Sequence, residues 1–197
     1  MLPVILLLFL LSAAVVVAGW FRRTPGARVR RHRRYRQVAE RVLTRLPQLA
    51  SDGARLNYLR RINPYVFEEL LLLALENQGL KVIRNPSYSG DGGSDGQVLI
   101  AGERWLIQAK RYSRSISPQH VRDFGELLVR ENCCGFFIHT GRTGRKSRDD
   151  LQMYPQVRLV SGQRLLNLLA GNADWYSQEF KIKTNGGHMN VHDRCSF

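Results

Sequence analysis

Hydrophobic and polar positions divide the chain into three stretches. Met1–Trp20 reads MLPVILLLFLLSAAVVVAGW, without a charged side chain. A helix of that length spans about 30 Å, the thickness of a bilayer's hydrocarbon core. Trp20 stands where an interfacial aromatic belongs. Next, Tyr35, Val38, Val42, Leu46 and Leu49 recur at helical spacing, until Pro47 and Ser51-Asp52-Gly53 interrupt them. From Asn63 onward, helical and alternating patterns take turns.

In that third stretch, Asn63-Pro64 offers a helix cap and a first-turn proline. Tyr65–Gln78 is the predicted helix, and Gly79 its stop. Leu80–Arg84 reads as a short strand. Gln97–Ile100 and Glu103–Lys110 form a hairpin around Ala101-Gly102. A helix from Pro118 to about Asn132 sets Val121, Phe124, Leu127 and Leu128 on one face. Gly135–His139 is a buried-type strand, 149–153 a short helix, Val157–Val160 a strand, and Arg164–Leu169 a helix ended by Gly171. This order predicts an α/β fold, a central mixed β-sheet flanked by helices. The expected organisation is a transmembrane anchor over 1–21, a basic and partly helical juxtamembrane stalk over 22–62, the α/β domain over 63–171, and a C-terminal tail over 172–197.

Charge changes this picture in one place. The 197 residues carry 30 Lys+Arg and 16 Asp+Glu, a formal charge of +14. Between Arg22 and Arg61 stand 13 basic and 2 acidic residues, and after Arg61 stand 17 and 14. The basic excess is therefore local, and the domain is nearly balanced. Arg22, Arg23, Arg28, Arg30, Arg31, Arg33, Arg34 and Arg36 follow the apolar run directly. Such a flank stays on the cytoplasmic side. A cleaved signal peptide would carry a basic residue ahead of the apolar run, which Met1–Pro3 lacks. The expectation is a single-pass protein of an inner or plasma membrane, N-terminus out, with its domain in the cytoplasm. The arginines could hold nucleic-acid phosphates or anionic lipid, at about 1 kcal/mol per basic residue near the surface. Beside an anchor, lipid is the expected partner. Three cysteines without a CxxC argue against a disulfide framework and a zinc knuckle. Neither the GxGxxG nor the GxxxxGK[ST] spacing occurs.

Candidate chemistry collects around the hairpin. Gln108 and Lys110 share one face of the second hairpin strand. If the hairpin pairs around Ala101-Gly102, Asp95 lies at the same open end. On the helical wheel of 65–78, Glu68 falls beside Leu75, toward the apolar layer. An unpaired carboxylate is costly there and calls for a cation, a metal or a proton, and the wheel alone equally allows a boundary glutamate that snorkels to solvent. Glu69 falls beside Glu76 and is expected to be a solvated charge. Asp95, Glu68 and the Gln108 amide would offer hard oxygens to Mg²⁺, with Mn²⁺ as a substitute. Such a metal acidifies a water and stabilises phosphoryl charge, and Lys110 could orient that water. Spacing alone leaves open a plain charged turn.

The order Phe67-Glu68, then Gly90-Asp91-Gly92-Gly93-Ser94-Asp95, then Gln108-Ala109-Lys110-Arg111-Tyr112 resembles the Mrr-like restriction endonucleases of the PD-(D/E)xK nuclease superfamily. The likeness extends over about 63–171, through the helix from Pro118 and the strand ending at Thr140-Gly141-Arg142. It implies a restriction-endonuclease-like fold and Mg²⁺-dependent hydrolysis of DNA phosphodiesters. Asp95 would be the metal-binding aspartate, Lys110 the catalytic lysine and Glu68 the supporting helix acid. Gln108 stands where the wider superfamily has an acid, and Asp91 would brace the turn. Arg111, Arg114, Arg142, Arg145 and Lys146 are candidate DNA contacts, with Arg122 and Arg148 as further surface charges. A homodimer is carried as an expected assembly. The stretch Arg142–Ser147 departs from the family's aromatic-bearing pattern. With Gln108, it motivates an alternative, an inactive DNA-binding or membrane-organising module on the same fold.

Overall fold

A computed structural model describes residues 26–85 and 93–176. The expectations for the 1–21 anchor, Arg22, Arg23, Asp91 and the tail beyond 176 lie outside the described residues. Among the described residues, no helix is long and apolar enough to cross a membrane. The chain divides into two compact units, one ending at Arg34 and one beginning at Tyr35. In the first, the described residues open the arginine-rich helix α1 (Ala27–Arg45).

The second unit continues with α2 (Asp52–Leu59), α3 (Pro64–Asn77), β1 (Lys81–Arg84), β2 (Gly96–Ile100) and β3 (Glu103–Lys110). Then come α4 (Pro118–Arg130), β4 (Cys134–His139), α5 (Arg145–Met153), β5 (Val157–Ser161), α6 (Gly162–Leu169) and a short 3-10 turn, Ala173–Trp175. The strands form one sheet in chain order, β1 to β5. The first three are antiparallel, and β3, β4 and β5 are parallel, joined by the crossover helices α4 and α5. This is the expected mixed sheet flanked by helices. It fits a restriction-endonuclease-like architecture.

Alternation along the strands sorts the core into two layers. Trp105, Ile107 and Ala109 of β3, with Phe136 and Ile138 of β4, pack under α3 and α6. Leu106 and Phe137 point the other way, against Val121, Phe124 and Leu128 of α4. Trp105 stacks on Phe136 with ring centroids 4.9 Å apart.

Four expectations need correction. The segment expected to be a stalk supplies core residues: Ala39, Val42, Leu46 and Leu59 are buried in the α3 layer. Each large side chain of that kind contributes about 1.5–3 kcal/mol, so the core does not begin at residue 63. Ser51-Asp52-Gly53 is not a mere interruption, because Ser51 Oγ accepts from Ala54 N at 3.2 Å and caps α2. The tail does not begin at 172 either. Trp175 is 1% exposed, packs edge-on against Phe136, and donates its Nε1 to Gln78 Oε1 at 2.8 Å.

The fourth correction concerns α3. It starts as expected, with Asn63 Oδ1 accepting from Tyr65 N at 2.9 Å and Pro64 following. It is not an amphipathic surface helix, however. Val66, Phe67 and every residue from Glu69 to Leu75 are buried. Glu69 is therefore no solvated charge. It is 1% exposed and ion-paired with Arg84.

Candidate active site

The hairpin sets the site. Ala101 and Gly102 have positive φ, 50° and 85°, the backbone of a primed two-residue turn that matches strand twist. That turn fixes the register Ile100↔Glu103 through Gly96↔Ile107, which leaves Asp95 opposite Gln108. Asp95 N donates to Ile107 O at 2.7 Å. Asp95 Oδ2 accepts from Gln108 Nε2 and from Ala109 N, both at 2.7 Å. These bonds hold the carboxylate at the open end of β3, beside Lys110, the last residue of that strand.

Helix α3 brings the second acid. A Cβ at Gly96 would lie 2.8 Å from Leu72 Cδ2, so the missing side chain lets α3 sit close to the start of β2. Glu68 is half-buried there. Its pKa is pushed up to about 8, first by burial and then by the charge of Asp95, with Lys110 pulling it down and Glu69 adding to the rise. Burial also raises Asp95, against the Ala109 amide, the Lys110 charge and the Gln108 side chain. Glu68, Asp95, Gln108 and Lys110, expected to converge, are thus one electrostatically coupled group.

This group has the chemistry of a divalent-cation site. Both hydrogen bonds to Asp95 fall on Oδ2, and no hydrogen bond from the described residues reaches the Glu68 carboxylate. Two hard-oxygen groups are thus coupled, the charge of Asp95 opposing a charge on Glu68, and a cation or a proton would offset that opposition. Among the described residues, no three His, Cys, Asp or Glu side chains form a metal cluster. The set is two carboxylates and the Gln108 amide.

Sequence reasoning missed the supports. Arg84, at the end of β1, holds Glu69 and Glu76 of α3. Asn85 Nδ2 donates to Ser94 O at 2.6 Å, next to Asp95. The available signal was the Leu70–Leu75 run, which covers the helix on every side and leaves Glu69 no polar face. His139 was read only as a strand end. It pairs with Lys110 in the β3–β4 register. Burial pushes its pKa down to about 4, and its Nδ1 has no partner among the described residues. It is a buried, neutral imidazole on the strand next to Lys110.

The expected DNA contacts separate into two kinds. Arg114 and Arg142 are exposed on loops stitched by Ile116 N→Arg142 O and Arg142 N→Arg114 O, both 3.0 Å. A Cβ at Gly141 would lie 2.4 Å from Arg114 O, so glycine permits that approach. Arg145 and Lys146 are exposed in the first turn of α5, and Arg148 follows. Arg111 is different. It is half-buried and donates Nη1 to Arg60 O at 3.0 Å, and Arg60 Nε donates to Thr140 O at 3.0 Å. It braces the end of β3. Arg122 is held by the buried Asp150 at 2.8 Å.

With this geometry, a restriction endonuclease family, Mrr_cat, matches residues 59–169, more than half of the chain. The chain belongs to that family. Among curated proteins it is 28% identical over 141 residues to the type IV methyl-directed restriction enzyme EcoKMrr of Escherichia coli (strain K12), across 68% of this chain and 46% of the relative. The chain thus spans about half the length of the curated relative it matches. No solved structure matches it significantly.

Proposed function

We propose that this protein is a DNA endonuclease that hydrolyses phosphodiester bonds with Mg²⁺, or Mn²⁺ in its place. The observation that carries the reading is the Asp95–Glu68 pair, held at the end of β3 beside Lys110 and Gln108. Asp95 and Glu68 would hold the cation, with the Gln108 amide beside them. When bound, the cation supplies an acidified water and neutralises phosphoryl charge. The chain's own residues do the rest. Ala109 N and Gln108 Nε2 fix the Asp95 rotamer. Lys110 offers its ammonium to the developing charge and orients the attacking water. Arg114, Arg142, Arg145 and Lys146 seat the flanking phosphates without reading sequence.

The family and the relative's methyl-directed description support restriction as the role, and a methylated duplex as the substrate to try first. One such site cuts one strand at a time, so a second copy of the chain would serve a double-strand break. The apolar Met1–Trp20 segment and the arginines after it support tethering to an inner or plasma membrane with the nuclease domain in the cytoplasm. The test is incubation of the full chain with methylated and unmethylated plasmid, in Mg²⁺ or EDTA. Cleavage that EDTA abolishes is the expected outcome. DNA binding without cleavage in any divalent metal would favour an inactive DNA-binding module instead.

A further inference from the structure

The ion network beside the acids has no direct part in the chemistry above. Arg84 Nε lies 2.9 Å from Glu69 Oε2 and Nη2 lies 3.0 Å from Glu76 Oε2, while Nη1 bonds Glu76 Oε1. Arg36 Nη2 reaches the same Glu76 Oε2 at 3.1 Å. Buried ion pairs add little net stability, because desolvation offsets their attraction, and well-packed neutral residues often replace them without loss. What a multi-toothed arginine does supply is fixed geometry.

The location gives that geometry a use. Glu69 is the neighbour of Glu68. Arg84 pairs with Gly96 across the β1–β2 ladder, immediately after Asp95. Asn85 holds Ser94 O, immediately before Asp95. The dipeptide Arg84-Asn85 therefore grips the residues on both sides of one acid and the neighbour of the other. A rotation of α3 that carried Glu68 away from Asp95 would first have to break the Arg84–Glu69 and Arg84–Glu76 bonds.

We propose that Arg84 and Asn85 form a brace that sets the Glu68–Asp95 spacing, and are positioning residues for the divalent-cation site. The inference rests on the metal-site reading above, and its test separates the two. Mn²⁺ affinity is measured by calorimetry on the full chain and on Arg84→Met/Glu69→Gln, which neutralises the buried pair together. Asn85→Ala, which removes a single hydrogen bond, keeps the test open if the double variant does not fold. Arg104→Met/Glu131→Gln, at an exposed pair 2.9 Å apart between β3 and the end of α4, is the control. Loss of outer supports typically costs 10–100-fold in metal affinity. That loss is expected in the double variant, with a smaller one in Asn85→Ala and none in the control. Hydrogen exchange at the Ala109 amide, which bonds Asp95 Oδ2, should accelerate in both brace variants without metal. Unchanged Mn²⁺ affinity with unchanged Ala109 exchange overturns the brace. A wild-type chain that binds no Mn²⁺ overturns the metal reading, and the Ala109 amide then judges the brace alone.

Discussion

Two neighbouring glutamates on α3 receive opposite treatment. Glu69 is sealed in and matched by Arg84. Glu68 is half-buried, faces another carboxylate, and is pushed up to about pKa 8. The first arrangement settles a charge, and the second leaves one unsettled. An unsettled acid next to a second acid and a lysine is the signature of a site poised for a ligand. Burial alone therefore does not single out a candidate site; burial beside a second acid does.

That contrast can be broken at several points. The largest effect belongs on the unsettled side. Asp95→Asn or Lys110→Ala should lower plasmid cleavage by roughly 10²–10⁴-fold while circular dichroism stays native. On the settled side, Arg84→Met alone removes the ion pair of the buried Glu69 and should cost up to about 3–5 kcal/mol, read as a shifted urea midpoint. Arg84→Met/Glu69→Gln should recover most of it.

Smaller effects sharpen the comparison. Mg²⁺ at 100 times its dissociation constant should stabilise the wild type by about 2.7 kcal/mol, and Glu68→Gln should shrink that gain. Without metal, the folded state binds more protons at Glu68 than the unfolded chain does between about pH 4.5 and 8. Stability therefore falls as pH rises through that window. Glu68→Gln should flatten the fall, so its melting temperature exceeds the wild type's at pH 8 and not at pH 4.5. The smallest effect lies on the rim. Arg142→Ala or Arg145→Ala should each reduce the salt slope of DNA binding by about 1, with little change in stability.

The placement of Glu68, Asp95, Gln108 and Lys110 was legible in the sequence because it depends on local rules. Period-two alternation puts Gln108 and Lys110 together, and the Ala101-Gly102 turn fixes the register that delivers Asp95. Glu69 was misread because a helical wheel sees one face at a time. The wheel gave it the side of Glu76, and that side is where Arg84 enters from β1. Helix α5 was found only from residue 149, although it starts at Arg145. Its buried positions include Ser147 and Asp150, polar residues satisfied by Ile116 O and Arg122, so no apolar stripe announced it. Ser51 looked like a break because a cap and a turn use the same residue types.

The packing of Ala39, Val42, Leu46 and Leu59 into the α3 layer bears on how an active fragment can be excised. Trimming to the family boundary at residue 59 removes Ala39, Val42 and Leu46 from the core cluster that holds α3, and trimming to the cap at Asn63 removes Leu59 as well. The expected product is a sticky, poorly soluble remnant. A cut ahead of Tyr35 keeps all four.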